Sequence, residues 1–324
     1  SADTNNFGVL VLRTLALMRD LEPKPKMLIN LAPKGFEEDW RRATAAVERA
    51  LELATHVGPD GFGVFNKKWL PGFGLVPVLA ALRAHIEDHR LGDAPRADLR
   101  RWYWCSVFLE RYSSTVETKS RRDYSEYKRL WNGEDITTTV MAEAAARIGS
   151  PTYSVRDSTS SASSVYSGVF CLLAINGARD WAAAEAIELQ KLEDHHIFPQ
   201  SYLNKRGFDP KRDKAAINSI VNRTLISDAT NKIISDKAPA DYVVDTRVFP
   251  QPATDLVGPH FIDAAALSSM MAASAGSEGS VLREVYERFS VSREGAIVSE
   301  IRRACGVTKS AVPPADESDL DDEQ

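Results

Sequence analysis

The chain has 324 residues, of which 44% are hydrophobic, so it can bury a sizeable core and form two domains or one large one. No run of about eighteen apolar residues occurs, which predicts no membrane-spanning helix, and three widely spaced cysteines exclude a disulfide framework or a Cys-x-x-Cys zinc site. The formal net charge of the whole chain is −5, which by itself argues against a nucleic-acid partner. The charge is unevenly distributed, however, so a positively charged segment can still bind nucleic acid.

Apolar residues recur at helical spacing through most of the first half of the chain. The pattern predicts helices over residues 1–20, 36–56, 75–89, 97–112, 121–131 and 137–148. Pro23 ends the first of these helices, and the turn that begins at Gly58 ends the second. Residues 1–150 are therefore predicted to form a helical domain.

Two features of this domain allow a functional as well as a structural interpretation. Trp102, Tyr103 and Trp104 could stack on bases, but their place in a helical pattern favours a buried core. His85 and His89 are four residues apart on a helix and could share a metal ion, but their charged neighbours favour a solvated helix face. We expect neither feature to carry the function.

The second half of the chain differs in character. The serine-rich residues 158–164 predict a mobile loop or a domain junction, and the apolar residues 166–175 cannot be assigned by periodicity. Further helices are predicted over residues 182–189, 261–273, 281–289 and 293–305. We therefore expect a second domain over residues 151–306, and the polar, acidic residues 307–324 predict a disordered tail.

The residues that carry chemistry lie between residues 192 and 237. His195 and His196 are adjacent in an extended segment and point to opposite faces, so that one can face a metal ion and the other a substrate. A second short apolar run follows, after which a helix can begin at Asp228, a favourable capping residue. A hairpin followed by this helix would bring His195 and Asn231 together over one ion.

These residue types suit the hydrolysis of a phosphodiester. The reaction needs a base that activates water, a hard cation that stabilises the leaving oxygen, and positive charge that holds the phosphate. A neutral imidazole, with an ordinary pKa of about 6.5, is a suitable base at neutral pH. One imidazole, one amide oxygen and several waters suit Mg²⁺ or Mn²⁺, whereas a structural zinc site would need four nitrogen or sulfur ligands.

The segment resembles the HNH (ββα-metal) nucleases. Their first motif reads in this chain as His195-His196-Ile197-Phe198-Pro199. The nine-residue spacing between Asn222 and Asn231 is similar to that of the HNH domain of CRISPR effector nucleases. The resemblance implies an α+β fold, mostly α-helical, with an embedded ββα-metal nuclease motif in the second domain.

A closer resemblance is to the carboxy-terminal nuclease part of modification-dependent restriction enzymes of the GmrSD and SspE type. The shared pattern is Asn222-Arg223-Thr224-Leu225-Ile226-Ser227, Thr230-Asn231, Ile234 and Lys237-Ala238-Pro239-Ala240-Asp241-Tyr242. Such enzymes usually begin with an NTP-hydrolysing domain that carries an Asp-Gly-Gln-Gln-Arg motif, which is absent here, as is a GxxxxGK[ST] loop. The resemblance implies that this chain is the nuclease half of a longer protein and that an amino-terminal NTPase half is missing.

The resemblance also implies a role for each of four residues. His196 would be the general base, and Asn222 would fasten the loop and orient that base. His195 would occupy the position usually held by a carboxylate and bind the metal ion together with Asn231. Whether Asp194 also helps to hold the ion stays open.

Local positive charge favours contact with double-stranded DNA. Residues 191–237 contain nine Lys or Arg against six Asp or Glu, and residues 100–132 contain eight against four, whereas residues 316–323 contain six acids and no base. The predicted phosphate contacts, in and just after the loop between the motif halves, are Lys205, Arg206, Lys211, Arg212, Lys214 and Lys232. Arg100, Arg101 and residues 119–129 form a second candidate surface. No pattern indicates base-edge readout, so weak sequence specificity is expected.

The predicted function is Mg²⁺- or Mn²⁺-dependent nicking or double-strand cleavage of DNA, and the resemblance implies a role in anti-phage restriction. Selectivity for modified DNA would lie mostly in the missing half. The cysteine usage fits the reducing cytoplasm, and the chain start, which has no signal peptide, is expected to be a cut inside a longer protein.

Two alternative functions stay open. One is a non-catalytic DNA-binding module or reader of modified DNA with a degenerate site, and the other is a metal-stabilised interaction domain, which chelators would destabilise strongly.

Overall fold

The structure, a computed structural model, describes residues 2–182 and 188–309, with side chains described from residue 7 onward. The predicted acidic tail beyond residue 309 and most of the helix predicted over residues 182–189 lie outside these ranges. Over the described residues the fold is mostly α-helical with one small two-stranded sheet, which confirms the α+β prediction at this coarse level. No helix in those ranges is long and apolar enough to cross a membrane.

The first part of the chain is helical, as its periodicity predicts. Its helices are α1 (Ala2–Met18), α2 (Pro25–Ile29), α3 (Phe36–Thr55), α4 (Leu75–Asp88), α5 (Asp93–Phe108), α6 (Val116–Trp131), α7 (Thr139–Arg147) and α8 (Ser164–Ile175). Helices α5 and α6 begin four and five residues earlier than predicted, because their first turns are polar and add nothing to the apolar pattern. The unassigned apolar run is helix α8, which Ser163 caps by accepting a hydrogen bond from the Tyr166 amide.

The second part of the chain consists of short elements around the two strands, followed by one long helix. These elements are β1 (Leu192–His196), α9 (Gln200–Lys205), α10 (Lys214–Asn218), β2 (Arg223–Ser227), α11 (Asp228–Ile234), α12 (Pro239–Val243), α13 (Ala253–Leu256), α14 (Ala264–Ala272) and α15 (Gly279–Cys305). Short 3-10 turns lie at Lys67–Trp69, Arg111–Ser113, Leu189–Lys191, Ile220–Asn222 and Gly258–His260. Strands β1 and β2 are antiparallel, so the two halves of the predicted motif lie side by side.

Helix α15 corrects one prediction. Two helices were expected over residues 281–289 and 293–305, but the structure has a single helix from Gly279 to Cys305. The intervening Ser and Val residues have modest helix propensity, which suggested a break. Packing overrides that preference, since Ser290 bonds back to the Tyr286 carbonyl at 2.8 Å and Arg293 is fully buried.

The buried apolar residues form two clusters that α15 connects. The first cluster is built mainly from α1 to α8, and the second from residues 181–289. Leu282 and Phe289 of α15 belong to the second cluster, while Ile297 and Cys305 belong to the first. Helix α8 packs in the first cluster, and so do five buried residues between residue 180 and α15, namely Leu192, Ile220, Val221, Leu225 and Phe261. The predicted domain boundary at residue 150 stays a prediction.

The aromatic and histidine features of the helical domain are structural. Trp102, Tyr103 and Trp104 are at most 3% exposed, which confirms their assignment to the core. His85 is also buried and stacks on Trp131 with ring centroids 6.1 Å apart, whereas His89 is exposed. The predicted solvated helix face is therefore correct for His89 and wrong for His85. Burial, with help from the adjacent His89, lowers the pKa of His85 to about 4.

Candidate functional site

The candidate site is built on the antiparallel strand pair and the helix that follows it. His195 lies opposite Thr224 and His196 opposite Arg223, and helix α11 begins directly after β2. The capping residue of α11 is Ser227, whose Oγ accepts from the Thr230 amide at 3.1 Å, and not the predicted Asp228, which is the first helical residue.

Asp180 holds this strand-to-helix corner from outside the motif. Its carboxylate accepts from the Ser227 amide at 2.6 Å and from the Thr230 hydroxyl at 2.7 Å. Because Asp180 is only 3% exposed, these charge-assisted hydrogen bonds are strong and fix the start of α11. The position of Asn231 on α11 therefore depends on a residue that lies before β1.

An open cleft of about 360 Å³ brings together two of the four predicted catalytic and metal-binding residues. Its described lining is His196, Pro199, Gln200, Ser201, Asn204, Asn231 and Ser235. His196 and Asn231 thus share the cleft. His195 does not line it, because adjacent residues of a strand point to opposite faces.

His196 is oriented by Asn218, a residue that the sequence analysis did not single out. The His196 Nε2 atom lies 3.2 Å from Asn218 Oδ1, which also accepts from Arg223 Nη2 at 2.7 Å. The Asn218 Nδ2 group donates to the Lys214 carbonyl at 2.9 Å, so the side-chain oxygen faces His196. An oxygen can only accept, so Nε2 carries the imidazole proton and Nδ1 keeps the basic lone pair.

The environment of His196 favours the neutral imidazole. Burial, together with the positive charge of Arg223, lowers the pKa of His196 to about 4, and the hydrogen bond that His196 donates to Asn218 opposes this shift. His196 is therefore uncharged at neutral pH. This is the form that a general base requires.

Arg223 connects this histidine to the helical part of the molecule. Its Nη1 donates to Asp194 Oδ1 at 3.2 Å, and the Tyr166 hydroxyl of α8 donates to Asp194 Oδ2 at 2.5 Å. A chain of contacts therefore runs from Tyr166 through Asp194, Arg223 and Asn218 to His196. Asp194, whose part in holding a metal ion was left open, has both carboxylate oxygens occupied by these donors.

His195 has an unused ring nitrogen. Its Nε2 atom is buried and has no hydrogen-bond partner in the part of the chain that the structure describes, which is costly for a polar atom. Burial lowers the pKa of His195, while Glu193 and Asp194 oppose that change. The described residues contain no cluster of three or more His, Cys, Asp or Glu that could hold a metal ion. The motif therefore offers two donors that suit a hard cation, the unpartnered Nε2 of His195 and the amide oxygen of Asn231, but only Asn231 lines the cleft.

Asn222 fastens the loop that follows β1. It is fully buried, its Oδ1 accepts from the Phe198 amide at 2.8 Å, and its Nδ2 donates to the carbonyls of Phe198 at 3.1 Å and Ile217 at 3.0 Å. Its own carbonyl accepts from the Ile197 amide at 2.9 Å. This geometry agrees with the expected fastening role, but the side chain that bonds to His196 is Asn218.

The predicted DNA-binding residues differ in how free their charges are. Lys205 pairs with Asp236 and Lys232 with Asp228, each at 2.5 Å, and Arg206 stacks on Tyr202 at 4.5 Å. Lys211, Arg212 and Lys214 are exposed, and the ion pair of Arg212 with Asp209 is loose at 3.7 Å. These last three residues have the most accessible positive charge of the set.

Comparisons with known proteins identify a relative. Over 236 residues the chain is 32% identical to the uncharacterized protein MJ0686 of Methanocaldococcus jannaschii. The matched segment covers 72% of this chain and 39% of that relative, so the chain spans well under half of the relative's length. No family model matches the chain, and no solved structure matches it significantly.

Proposed function

We propose that the chain is a divalent-metal-dependent DNA endonuclease of the HNH type. The observation that carries the proposal is the cleft that His196 and Asn231 share at the junction of the strand pair and α11. A neutral histidine with one committed nitrogen is a suitable base, and an amide on the following helix is a suitable ligand for a hard cation. The resemblance to the HNH motif is the second line of support.

The base in this proposal is His196 Nδ1. Because Nε2 donates to Asn218, Nδ1 is free to take a proton from a water molecule in the cleft. The water oxygen then forms a bond to phosphorus as the bond from phosphorus to the leaving oxygen breaks. General-base assistance of this kind contributes about 10²- to 10⁴-fold in rate.

Asn231 fits a bound Mg²⁺ or Mn²⁺ in the cleft, where its amide oxygen would hold the ion and water would complete most of the coordination. The resemblance implies His195 as the second ligand, and its unpartnered Nε2 is chemically suitable, but His195 does not line the cleft in this structure. When bound, such an ion supplies positive charge that stabilises the leaving oxygen. Asp194 is assigned to positioning and not to the ion, because its two oxygens accept hydrogen bonds from Arg223 and Tyr166.

The substrate in this proposal is double-stranded DNA held through its phosphates. Lys211, Arg212 and Lys214 follow the first half of the motif and present exposed positive charge. Phosphate contacts position a duplex but read no sequence, which agrees with weak sequence specificity. Restriction of phage DNA, together with an NTP-hydrolysing half of a longer protein, completes the proposal, and the length of MJ0686 beyond the matched segment leaves room for such a part in that relative.

The test is conversion of supercoiled plasmid by the purified chain with Mg²⁺ or Mn²⁺. We expect open-circle or linear DNA that disappears with EDTA, and a loss of about 100-fold or more in His196→Ala and Asn231→Ala. His56→Ala is the matched control, because His56 is an exposed histidine in the helical part, and it should cleave like the unaltered chain. The ratio of the two products distinguishes nicking from double-strand cleavage.

Two outcomes would contradict the proposal. Equal cleavage by His196→Ala would exclude that residue as the base. Binding of duplex DNA without cleavage, both by the chain alone and after addition of an NTPase half and modified DNA, would favour the non-catalytic reader.

A further inference from the structure

A second cavity lies among three helices of the first part of the chain. Its volume is about 220 Å³, and its described lining is Leu53 of α3, Asp60, Arg83, Ile86 and Glu87 of α4, and Arg96, Leu99 and Arg100 of α5. Apolar side chains from each of the three helices form part of the wall. The polar part of the lining consists entirely of charged side chains, with arginine the commonest.

Positive charge at this cavity exceeds the negative charge that faces it. Arg83 and Arg49 share one carboxylate, Glu87, at 3.1 and 3.0 Å. Asp60 lies 3.9 Å from Arg100, and its side chain is 96% exposed, so it neutralises little. The exposed Glu52 is a further carboxylate that acts on Arg83. The carboxylates are thus three (Glu52, Asp60 and Glu87) and the guanidinium groups four (Arg49, Arg83, Arg96 and Arg100), which leaves at least one positive charge in excess.

Two of the guanidinium groups have unused donors. The Nη1 group of Arg83 is buried and has no hydrogen-bond partner within residues 2–182 and 188–309, although the residue lines the cavity. Arg96 is exposed and makes no ion pair or hydrogen bond with the described residues. Burial lowers the pKa of Arg83 and of Arg100, and the positive charges of Arg49 and Arg96 also lower that of Arg83. A buried donor without a partner is costly, and an anion would remove that cost.

We propose that this cavity, lined by Arg83, Arg96 and Arg100, is a binding site for a phosphate group. Arg96 and Arg100 are one turn apart on α5, and Arg83 faces them from α4, so the three donors surround the volume from two sides. Guanidinium groups match the oxygens of phosphate in geometry and charge. The phosphate is either that of a DNA backbone or that of a small ligand such as inorganic phosphate or a nucleotide.

The first experiment measures the thermal midpoint of the full chain in sodium phosphate against sodium chloride at matched pH and ionic strength. We expect a concentration-dependent rise with phosphate, and an apparent affinity at least tenfold weaker in Arg83→Gln and Arg96→Gln. Arg96 is exposed, so that variant should fold normally even if Arg83→Gln does not. The matched control is Arg41→Gln, because Arg41 is an exposed arginine of α3 that pairs with Glu37 and does not line the cavity.

The second experiment separates the two sources of phosphate. Binding of a duplex oligonucleotide is measured by fluorescence anisotropy over a range of salt concentrations. If the phosphate belongs to DNA, Arg96→Gln lowers the affinity and reduces the slope of log K against log salt by about one. If only phosphate binding falls, the ligand is a small phosphate compound. The proposal would be overturned if phosphate raised the thermal midpoint equally in all variants. It would also be overturned if phosphate left the midpoint unchanged and Arg96→Gln had the salt slope of the unaltered chain. Neither measurement depends on nuclease activity.

Discussion

The contact between His196 and Asn218 is one hydrogen bond of 3.2 Å, yet it selects which ring nitrogen is basic. Asn218 Oδ1 also accepts from Arg223, so its orientation does not depend on His196 alone. Asn218 is therefore a positioning residue in the proposed reaction. Its effect should be visible in the rate of the chemical step and not in substrate binding.

Asn218→Ala should lower kcat by about 10- to 100-fold with little change in KM, because the imidazole loses its orientation but phosphate contacts persist. Asn218→Asp keeps the acceptor and should retain more activity than Asn218→Ala. Initial rates of plasmid cleavage over a range of DNA concentrations measure both quantities. Asn30→Ala, which removes an exposed amide, is the control, and an Asn218→Ala variant with unchanged kcat would contradict the assignment.

His260 is a second buried histidine, with a structural role. Its Nδ1 lies 2.6 Å from the Thr224 hydroxyl, and its Nε2 lies 3.0 Å from the Arg179 carbonyl, so one tautomer of the neutral ring satisfies both contacts. Burial and the positive charge of Arg293 lower the pKa of His260 to about 3. The folded state therefore binds a proton on this ring much less readily than the unfolded state does.

The free energy of unfolding should fall as the pH is lowered from about 6.5 towards about 3. In that range the unfolded chain protonates His260 and the folded chain does not, so this residue alone contributes a slope of up to about 1.4 kcal/mol per pH unit. Denaturant titrations at several pH values measure the slope. His260→Gln should flatten it, whereas the exposed His56→Gln should not, and parallel slopes in both variants would contradict the expectation.

At the scale of elements, α15 is joined to the strand pair by Arg293. The Arg293 guanidinium donates to the carbonyls of Ile220, Val221, Arg223 and His260 at 2.6 to 3.2 Å, and no carboxylate of the described residues accepts from it. Burial lowers the pKa of Arg293 to about 9, so it stays charged at neutral pH. This one side chain thus satisfies the buried backbone at the start of β2.

Arg293→Met should destabilise the protein by about 3 kcal/mol or more, because it removes the side-chain donor that four backbone carbonyl groups share. Arg293→Lys should restore little, since one ammonium group cannot reach all four carbonyls. Chemical denaturation followed by circular dichroism measures the change. The control on the same helix is Arg303→Met, whose side chain is 73% exposed and which should change stability by no more than about 0.5 kcal/mol.

At the scale of the whole molecule, α15 belongs to both hydrophobic clusters. Phe289 is in the second cluster and Ile297, two turns later, is in the first. The hydrogen-bonded path from Tyr166 to Asp194 adds a polar connection between α8 and the strand pair. Loss of either cluster therefore removes contacts from the other.

We expect the chain to unfold in one cooperative transition. Phe289→Ala and Ile297→Ala should each lower the stability by about 2 to 5 kcal/mol and shift the same transition, although they lie in different clusters. Tryptophan fluorescence and circular dichroism should report coincident curves. Two separate transitions, with each variant shifting only one, would show that the clusters unfold independently.

Local features of the fold could be predicted from the sequence alone. Apolar spacing located most helices of the first part to within a few residues, because that spacing is a property of contiguous residues. The extended segment at His195 and His196, the second run ending at Ser227 and the following helix were predicted for the same reason. The fastening role of Asn222 followed from the motif resemblance, and its hydrogen bonds agree with that role.

Only the tertiary structure decided which distant residues meet. The contacts of Asn218 with His196, of Asp180 with Ser227 and of Arg293 with Ile220 carry no local signal, since these partners lie 22 to 73 residues apart and meet only when the chain closes. The continuity of α15 was decided in the same way, by packing that outweighs weak local propensity. The sequence determined most of the elements of the first part of the chain and the residues of the proposed site. The closed fold determined that His196, and not His195, shares the cleft with Asn231, because strand pairing sets which face each side chain occupies.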